Sequence, residues 1–369
     1  MQRGSVGVWE RRSVGAYEVS RSHAPTLPPS HAPPRGVTSR RLTRHWLISR
    51  GMNFLVTGGA GFIGSHVCER LLDLGHEVWG FDDLNDFYNP RIKLANLREV
   101  QEKGGKFNFV QGDLIEPHAL NKLCQKVRFD QIIHLAARAG VRPSLEQPAL
   151  YQRVNVEGTV NLLEAARKNQ VPKLVIASSS SVYGVNSKVP FSESDPIFSA
   201  ISPYAASKLA CEALGHVYHH VYHLEIVMLR FFTVYGPRQR PDLAIHKFAK
   251  LIDSSQPIQV FGDGSTARDY THISDIVDGI TACTRSSFGF EVFNLGESET
   301  VKLSHLIELL EQALGKKAVI ERLPTQPGDV PLTCADITKA RKMLGYNPSI
   351  KIDQGIPLFI EWFRHNISQ

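Results

Sequence analysis

The feature that most constrains the fold is a set of three glycines spaced three residues apart. Gly58, Gly61 and Gly64 stand between a short apolar run at 53–57 and a segment with helical apolar spacing at 62–74. Glycine permits a sharp turn from strand to helix, and its missing side chain lets a phosphate approach the helix N-terminus. No Gly-Lys-Ser/Thr follows, which argues against a P-loop nucleotidase. The pattern predicts a strand, a phosphate-binding turn and a helix.

Strand-like and helix-like segments alternate through the first two thirds of the chain. Such alternation is typical of a parallel sheet covered by helices on both faces. We therefore predict an α/β fold, a Rossmann-type doubly wound parallel sheet at 52–234. The spacing loosens after Tyr235, which predicts a smaller C-terminal α/β lobe at 235–369, with some segments crossing back to the first domain. Predicted strands are 53–57, 77–81, 107–111, 131–135, 173–178 and 225–231, and predicted helices are 62–74, 119–126, 150–169, 203–223, 244–254, 303–314 and 352–363.

Two acidic residues, Asp82 and Asp83, stand at the end of the second predicted strand, about 20 residues after the glycines. A carboxylate in this place accepts hydrogen bonds from an adenosine ribose and repels a 2′-phosphate. No arginine lies between 81 and 87 to attract that phosphate. The sequence therefore favours NAD over NADP as the cofactor.

The positive charge of the chain is concentrated at its beginning. Residues 1–51 hold nine Arg, two Glu and no Lys, a charge of +7, which leaves −1 for the rest of a chain whose total is +6. This proline- and serine-rich stretch has no sustained apolar pattern and is predicted to be disordered. It has the composition of a transit peptide or a nucleic-acid-binding arm. We favour a third interpretation, an upstream start with Met52 as the natural initiator, and expect no nucleic-acid partner.

The cysteines and the hydropathy bear on the compartment. Five cysteines are scattered without a Cys-x-x-Cys pair, which argues against a disulfide framework or a cysteine zinc site and favours a reducing compartment. No apolar run reaches the roughly 18 residues of a membrane span. We expect a cytoplasmic protein without a membrane partner. The cysteines are Cys68, Cys124, Cys211, Cys283 and Cys334.

A tyrosine and a lysine, Tyr204 and Lys208, lie four residues apart on a predicted helix and so share one face. A phenol has a pKa of about 10 and needs a nearby cation to serve as a base near neutral pH. The serines at 178–181 end the preceding predicted strand, at the edge of the sheet where ligands bind. Together these residues predict a base and a hydroxyl that binds a substrate oxygen.

These residues resemble the extended short-chain dehydrogenase/reductase family, the NAD-dependent epimerases and dehydratases of nucleotide sugars. The similarity covers nearly all of 52–369. It rests on the glycines at 58, 61 and 64, Gly112-Asp113-Leu114, His134-Leu135-Ala136-Ala137, Asn155, the serine run before Val182-Tyr183-Gly184, Tyr204 with Lys208, and Arg268-Asp269-Tyr270.

The resemblance implies a site for each ligand. Tyr204 would be the base, Lys208 would contact the nicotinamide ribose and Ser179 the reacting oxygen. The C-terminal lobe would bind a UDP-sugar. Implied NAD-binding residues are Gly58, Gly61, Phe62, Ile63, Gly64, Asp82, Asp113, Leu114, Leu135, Ala136, Ala137, Asn155, Tyr204 and Lys208; implied substrate-binding residues are Ser179, Ser180, Ser181, Tyr204, Thr233, Arg240, Arg268 and Asp329.

Within the family, the segment at 232–242 and the acidic segment at 81–88 resemble those of UDP-glucuronate 4-epimerases. Dehydratases and UDP-xylose-forming decarboxylases carry an acid beside the strand-end hydroxyl, whereas this chain has only serines at 179–181. UDP-glucose 4-epimerases typically have Asn in place of Thr233. We predict NAD-dependent C4 epimerisation of UDP-glucuronate to UDP-galacturonate, with Arg240 meeting the uronate.

Other interpretations stay open from the sequence alone. UDP-glucose 4-epimerase and UDP-glucuronate decarboxylase are alternatives within the family, and a non-catalytic NAD-binding regulator is an alternative of another class. Histidines 216, 219, 220 and 223 invite a metal site, but a solvated helix face or subunit interface explains them better and no metal is predicted. The resemblance implies a homodimer that forms through the helices at 150–169 and 203–223.

Overall fold

The computed structural model describes residues 51–185, 188–197, 199–324 and 330–366. The predictions for residues 1–50 and for Asp329 lie outside these residues. The central element is a seven-stranded sheet, parallel throughout, in the order β11-β6-β5-β4-β1-β2-β3. Its strands are β1 (Asn53–Thr57), β2 (Glu77–Asp82), β3 (Lys106–Gln111), β4 (Gln131–His134), β5 (Lys173–Ser179), β6 (Glu225–Phe231) and β11 (Phe290–Leu295).

The inner strands are buried on both faces because helices cover the sheet, as expected for parallel strands. Every residue of β4 and β5 is buried. The Rossmann-type doubly wound parallel sheet is therefore confirmed. The helices between its strands are α1 (Phe62–Asp73), α2 (Pro90–Glu102), α3 (His118–Lys126), α4 (Val141–Glu146), α5 (Pro148–Tyr151), α6 (Gly158–Lys168) and α7 (Pro203–Tyr222).

One predicted helix, 150–169, is interrupted. The structure has α5, then a π-helical turn at Gln152–Glu157, then α6. Widened turns of this kind are common at functional sites. Asn155 lies in this turn, and its buried side chain bonds to the backbone of Arg138 and to Ser207.

The later part of the chain builds a second hydrophobic core around α8, α10 and α12. The same part of the chain also contributes to the first domain. β11 pairs along its whole length with β6, and the helix Ile273–Thr284 packs on α1 through an Arg70–Asp278 ion pair. The division at 234/235 stays a prediction. The elements are α8 (Ala244–Asp253), α9 (Ile273–Thr284), α10 (Leu303–Leu314), α11 (Thr338–Leu344) and α12 (Ile352–Asn366), with the paired strands β7 (Thr233–Tyr235) and β10 (Tyr270–His272), β8 (Ile258–Phe261) and β13 (Ile320–Leu323), and β9 (Ala267–Arg268) and β12 (Val301–Lys302).

Within residues 51–185, 188–197, 199–324 and 330–366, no helix combines the length and the apolar character needed to cross a bilayer. No group of three or more His, Cys, Asp or Glu side chains in the same residues has the spacing to hold a metal ion. The histidines of α7 have local contacts instead: His216 and His220 stack with ring centroids 6.3 Å apart, and His219 Nδ1 lies 2.8 Å from Leu224 O.

Candidate active site

A cavity of about 340 Å³ lies at the carboxyl ends of the central strands. This is the edge at which a doubly wound sheet binds ligands. The cavity brings together most of the residues that the sequence nominated: Gly58, Gly61, Phe62, Ile63, Gly64, Asp82, Asp113, Leu114, Leu135, Ala136, Ala137, Ser179, Tyr204, Lys208, Thr233 and Arg240. We call the part lined by residues 58–64, 82, 113–114 and 135–137 the cofactor side, and the part lined by Phe87, Thr233 and Arg240 the sugar side.

The glycine loop on the cofactor side has the shape that a pyrophosphate needs. Gly58 has a φ of +71°, and a Cβ on Gly64 would lie 2.0 Å from Gly58 O, so both positions require glycine. Gly61 lines the cavity, where a side chain would take the space beside the N-terminus of α1. No side chain caps that terminus, which leaves its N–H groups and its dipole for an anion. These residues fit NAD.

Asp82 lies at the end of β2 with its carboxylate fixed. Its Oδ2 accepts a hydrogen bond from Ala60 N at 3.2 Å and its Oδ1 one from Leu84 N at 2.9 Å. Lys93 of α2 places its Nζ 3.4 Å from Oδ1. Burial raises the pKa of Asp82 above its usual value, and the Lys93 charge opposes that rise. Asp82 therefore lies at the cavity with a buried cation beside it, and its predicted contact with a ribose stays a prediction.

Tyr204 and Lys208 lie in the first two turns of α7. Pro203 is the first helical residue, and the Ser202 side chain caps the helix by accepting a hydrogen bond from Ala205 N at 3.1 Å. Lys208 Nζ donates to Ala177 O, on β5, at 2.8 Å. Ser179, at the end of the same strand, accepts from Ser181 N at 3.2 Å. The helix and the strand thus hold all three predicted catalytic side chains at one cavity wall.

A buried ion pair holds this wall from behind. Ser178 Oγ donates to Glu212 Oε1 at 2.5 Å. Arg230 of β6 donates to both Glu212 oxygens, at 2.9 and 2.8 Å, and to Tyr183 Oη at 3.0 Å. Bidentate pairs of this kind fix both partners. The pair ties α7, which carries Tyr204, to the end of β5, which carries Ser179, and to β6, which leads into Thr233 at the start of β7.

His134 lies beneath the cofactor side and is held neutral. Its Nδ1 lies 2.7 Å from Thr57 Oγ1 and its Nε2 3.0 Å from Thr159 Oγ1. Burial, together with the charge of Lys208, lowers its pKa to about 3. Thr159 donates its own proton to Asn155 O, so the hydrogen-bond network assigns the proton of His134 to Nε2. The ring therefore serves as an uncharged link between β1, β4 and α6.

On the sugar side, Arg240 faces the cavity from the loop after β7. Its Nε and Nη2 donate to the two oxygens of Asp242, at 3.0 and 2.7 Å. Its guanidinium carbon lies 5.1 Å from the centre of the Phe87 ring. Burial lowers the pKa of Arg240, but the hydrogen bond and charge of Asp242 outweigh burial and raise it overall. A cation is thus available for an anionic sugar.

Among the described residues, four that the sequence nominated do not line the cavity. Asn155 is buried behind it, and Ser180 and Ser181 continue into the 3₁₀ turn at Ser180–Tyr183. A fifth nominated residue, Asp329, lies outside the described residues. Arg268, on β9, donates to Ala267 O at 3.0 Å and Pro331 O at 3.4 Å. Asn155 is thus placed to hold the loop at 138–140, which itself lines the cavity.

Several charged or aromatic residues that line the cavity were not nominated from the sequence, among them Phe87, Tyr88, Lys93 and Arg138. Lys93 follows Asp82 by 11 residues, across a helix start that we did not assign. Arg138 comes directly after the Leu135-Ala136-Ala137 run, so its position next to a strand end could have identified it as a residue that lines the site. Phe87 lies within the acidic segment and had no pattern of its own.

Comparisons with known proteins agree with this geometry. The model of the GDP-mannose 4,6 dehydratase family matches residues 55–358. A UDP-glucuronate 4-epimerase of Thermodesulfobacterium geofontis is 45% identical over 315 residues, 85% of this chain and 97% of that protein.

Two solved structures are similar over the same residues. The Bacillus cereus UDP-glucuronic acid 4-epimerase, in complex with UDP-glucuronic acid and NAD, is 38% identical, with a TM-score of 0.80 over 85% of this chain and 99% of that one. A UDP-glucose 4-epimerase of Thermotoga maritima, with UDP-glucose, is 32% identical, with a TM-score of 0.78 over 86% and 100%. The chain therefore belongs to the GDP-mannose 4,6 dehydratase family of extended short-chain dehydrogenases/reductases.

Proposed function

We propose that this protein is an NAD-dependent UDP-glucuronate 4-epimerase, an isomerase that interconverts UDP-glucuronate and UDP-galacturonate. The observation that carries the proposal is that one cavity is lined by three features. They are the cofactor side, whose residues fit NAD, the Tyr204–Lys208 pair, and the guanidinium of Arg240. Relatives and solved neighbours named UDP-glucuronate 4-epimerases support it.

The residues of the cavity divide the chemistry between them. The residues of the cofactor side would hold NAD, which would supply a reversible acceptor for the hydride of C4, so that the sugar would pass through a 4-keto form before the hydride returned to its opposite face. Tyr204 takes the proton of the 4-hydroxyl and gives it back, so the net reaction is an isomerisation. Lys208, held at Ala177 O, would contact the nicotinamide ribose. Ser179 hydrogen-bonds the reacting oxygen.

The sugar side must also protect the intermediate. A 4-keto uronate is a β-keto acid, and it loses CO₂ most readily when the bond to its carboxylate aligns with the carbonyl π system. Arg240 and Thr233 line the cavity where that carboxylate would lie. A charge-assisted hydrogen bond from Arg240 holds the carboxylate out of alignment. Epimerisation then prevails over decarboxylation.

The remaining substrate contacts belong to the same proposal. Arg268 would contact the diphosphate with Asp329 nearby, and Ser180 and Ser181 would donate to the sugar. Arg268 bonds to Pro331 O, so it lies beside the segment that leads to Asp329. Asn155 would act on the cofactor through the backbone of Arg138.

The test is a product assay on the purified, NAD-loaded protein, with UDP-glucuronate and UDP-glucose supplied separately. We expect UDP-galacturonate from the first, without net reduction of NAD and with little UDP-pentose, and slow or no conversion of the second. Mainly UDP-pentose would reassign the enzyme as a decarboxylase, and preferential conversion of UDP-glucose would reassign it as a UDP-glucose 4-epimerase. No turnover with NAD bound would favour a regulator.

A homodimer is the oligomeric state that we propose. The outer face of α7 exposes Val217 and Val221, at 49% and 53% of their accessible surface, and a second copy of α6 and α7 would cover them. Light scattering of the eluted protein should give twice the chain mass, and a monomer at micromolar concentration would contradict it. A cytoplasmic location is proposed from the five free cysteines.

A further inference from the structure

The guanidinium of Arg240 is held on several sides before any sugar binds. Asp242 takes its Nε–Nη2 edge with two hydrogen bonds. Ala139 O lies 3.4 Å from Nη2, and the Phe87 ring lies against the guanidinium plane at 5.1 Å. The Arg240 side chain is only 15% exposed and that of Asp242 is 38% exposed. A long side chain that usually has many rotamers is thus confined to one.

The segment that holds Phe87 is fixed by hydrogen bonds, and the Phe87 ring also contacts a second arginine. Its backbone N–H donates to Asn85 Oδ1 at 3.1 Å, and Asn85 N donates to Asp83 Oδ1 at 3.0 Å. These two turns hold the segment between β2 and α2. The guanidinium carbon of Arg138 also lies 5.1 Å from the Phe87 ring centre. One aromatic ring therefore positions both arginines that line the cavity.

A guanidinium has two edges that can each bind a carboxylate in a bidentate manner. Asp242 occupies the Nε–Nη2 edge and Ala139 O accepts the other N–H of Nη2. The second edge therefore has Nη1 left as its donor to a second carboxylate. Fixing the side chain in advance reduces the conformational entropy that binding must overcome. A neutral sugar hydroxymethyl group gains much less from the same edge, since it has no charge to offer.

We propose that Asp242 and Phe87 are positioning residues, which hold Arg240 so that its second edge meets the sugar carboxylate and which thereby set the preference for a uronate over a neutral hexose. The inference rests on the proposed function, and it assigns to both residues a role that is exerted through Arg240. Asp242 acts on the edge of the guanidinium and Phe87 on its face.

The test is calorimetric titration of the NAD-loaded protein with UDP-glucuronate and, separately, with UDP-glucose. Asp242→Asn and Phe87→Leu should each weaken UDP-glucuronate binding by about 3- to 10-fold, the range expected when one flexible side chain loses its preorganisation. UDP-glucose binding should change by less than about twofold. If the residue had a merely structural role, its substitution would weaken the binding of both ligands equally.

A conservative variant and a distant control complete the test. Phe87→Tyr keeps the aromatic ring and should restore most of the uronate preference that Phe87→Leu loses. Asp278→Asn removes the ion pair with Arg70 on the surface between α1 and α9, and it should change neither affinity. Equal loss for both sugars, no change for either, or tighter UDP-glucuronate binding by Asp242→Asn would overturn the proposal, the last because Asp242 would then compete with the substrate.

Turnover gives a second readout. A loosened carboxylate lets the C5–carboxylate bond of the 4-keto sugar break: CO₂ leaves, the electron pair forms the C4 enolate, and a proton from water adds at C5. The hydride that was removed from C4 would then return to C4, and Tyr204 would return the proton to its oxygen, which gives the UDP-pentose. The UDP-pentose fraction should therefore rise in Asp242→Asn and stay at the wild-type value in Asp278→Asn. If the wild type binds UDP-glucuronate but does not epimerise it, the proposed function fails while the titrations still decide the positioning roles.

Discussion

The two sides of the cavity are built in different ways. The cofactor side is made of backbone and short side chains at the ends of β1, β2 and β4, and its shape follows from strand-to-helix turns such as Gly58–Gly64. The sugar side is made of long side chains from separate loops, and its shape depends on the contacts among Phe87, Arg240 and Asp242. Substitutions on the cofactor side should therefore affect every substrate alike, whereas substitutions on the sugar side should discriminate between substrates.

The largest expected effect is at the junction of the two sides. Tyr204→Phe removes the group that moves the proton, and turnover should fall by about 10³-fold or more, within the range for loss of general acid–base catalysis. NAD should still co-purify at the wild-type ratio, measured by absorbance and by release on denaturation. Tyr222→Phe, on the exposed end of α7, is the control. Near-wild-type turnover in Tyr204→Phe would refute the assignment of the base.

Arg240→Met should separate the sugar side from the cofactor side. Loss of a charge-assisted hydrogen bond should raise KM for UDP-glucuronate by about 10- to 100-fold, while the affinity for NAD stays unchanged. Steady-state kinetics together with NAD titration of the apo-protein measure both quantities. If NAD affinity fell in parallel, the two sides would not be independent.

Gly61→Ala should have the opposite pattern. One added methyl group beside the N-terminus of α1 crowds a bound pyrophosphate, and overpacking of this kind costs about 1–3 kcal/mol. NAD affinity should fall about tenfold, and the relative preference for UDP-glucuronate over UDP-glucose should not change. A shift of that preference would mean that the glycine loop also shapes the sugar side.

The smallest effect is a pH dependence that belongs to the cofactor side. His134 is neutral in the folded protein, with a pKa of about 3, and protonates near pH 6.5 when unfolded. Its contribution to stability is complete above pH 6.5 and declines as the pH falls toward 3, by about 1 kcal/mol between pH 7 and pH 5.5. Urea unfolding of His134→Gln should show a shallower decline. An unchanged slope would refute the role of His134.

The sequence predicted the cofactor side well because that side is local. Its signals each occupy a short stretch of sequence: the turn glycines, the aspartate at a strand end, and the alternation of strand and helix. The predicted strand at 225–231 also has the same bounds as β6. Phe87 and Arg138 were not predicted as site residues because their contacts join segments far apart in the chain. Lys93 was not predicted because it lies on α2, a helix that the apolar pattern did not reveal. The π turn at Gln152–Glu157 was missed for a similar reason: Asn155 bonds across to Arg138 and Ser207, which no helical period reveals.

The pairing of β11 with β6 has a consequence for how the chain is made. β6 is buried from Ile226 onward and flanked on one side by β5 and on the other by β11. Until residues 290–295 have been synthesised, one edge of β6 has unpaired backbone N–H and C=O groups, and its apolar side chains are uncovered. Such an edge is a template for aggregation. A nascent chain, or a fragment that ends at residue 234, should therefore depend on a chaperone until β11 closes that edge.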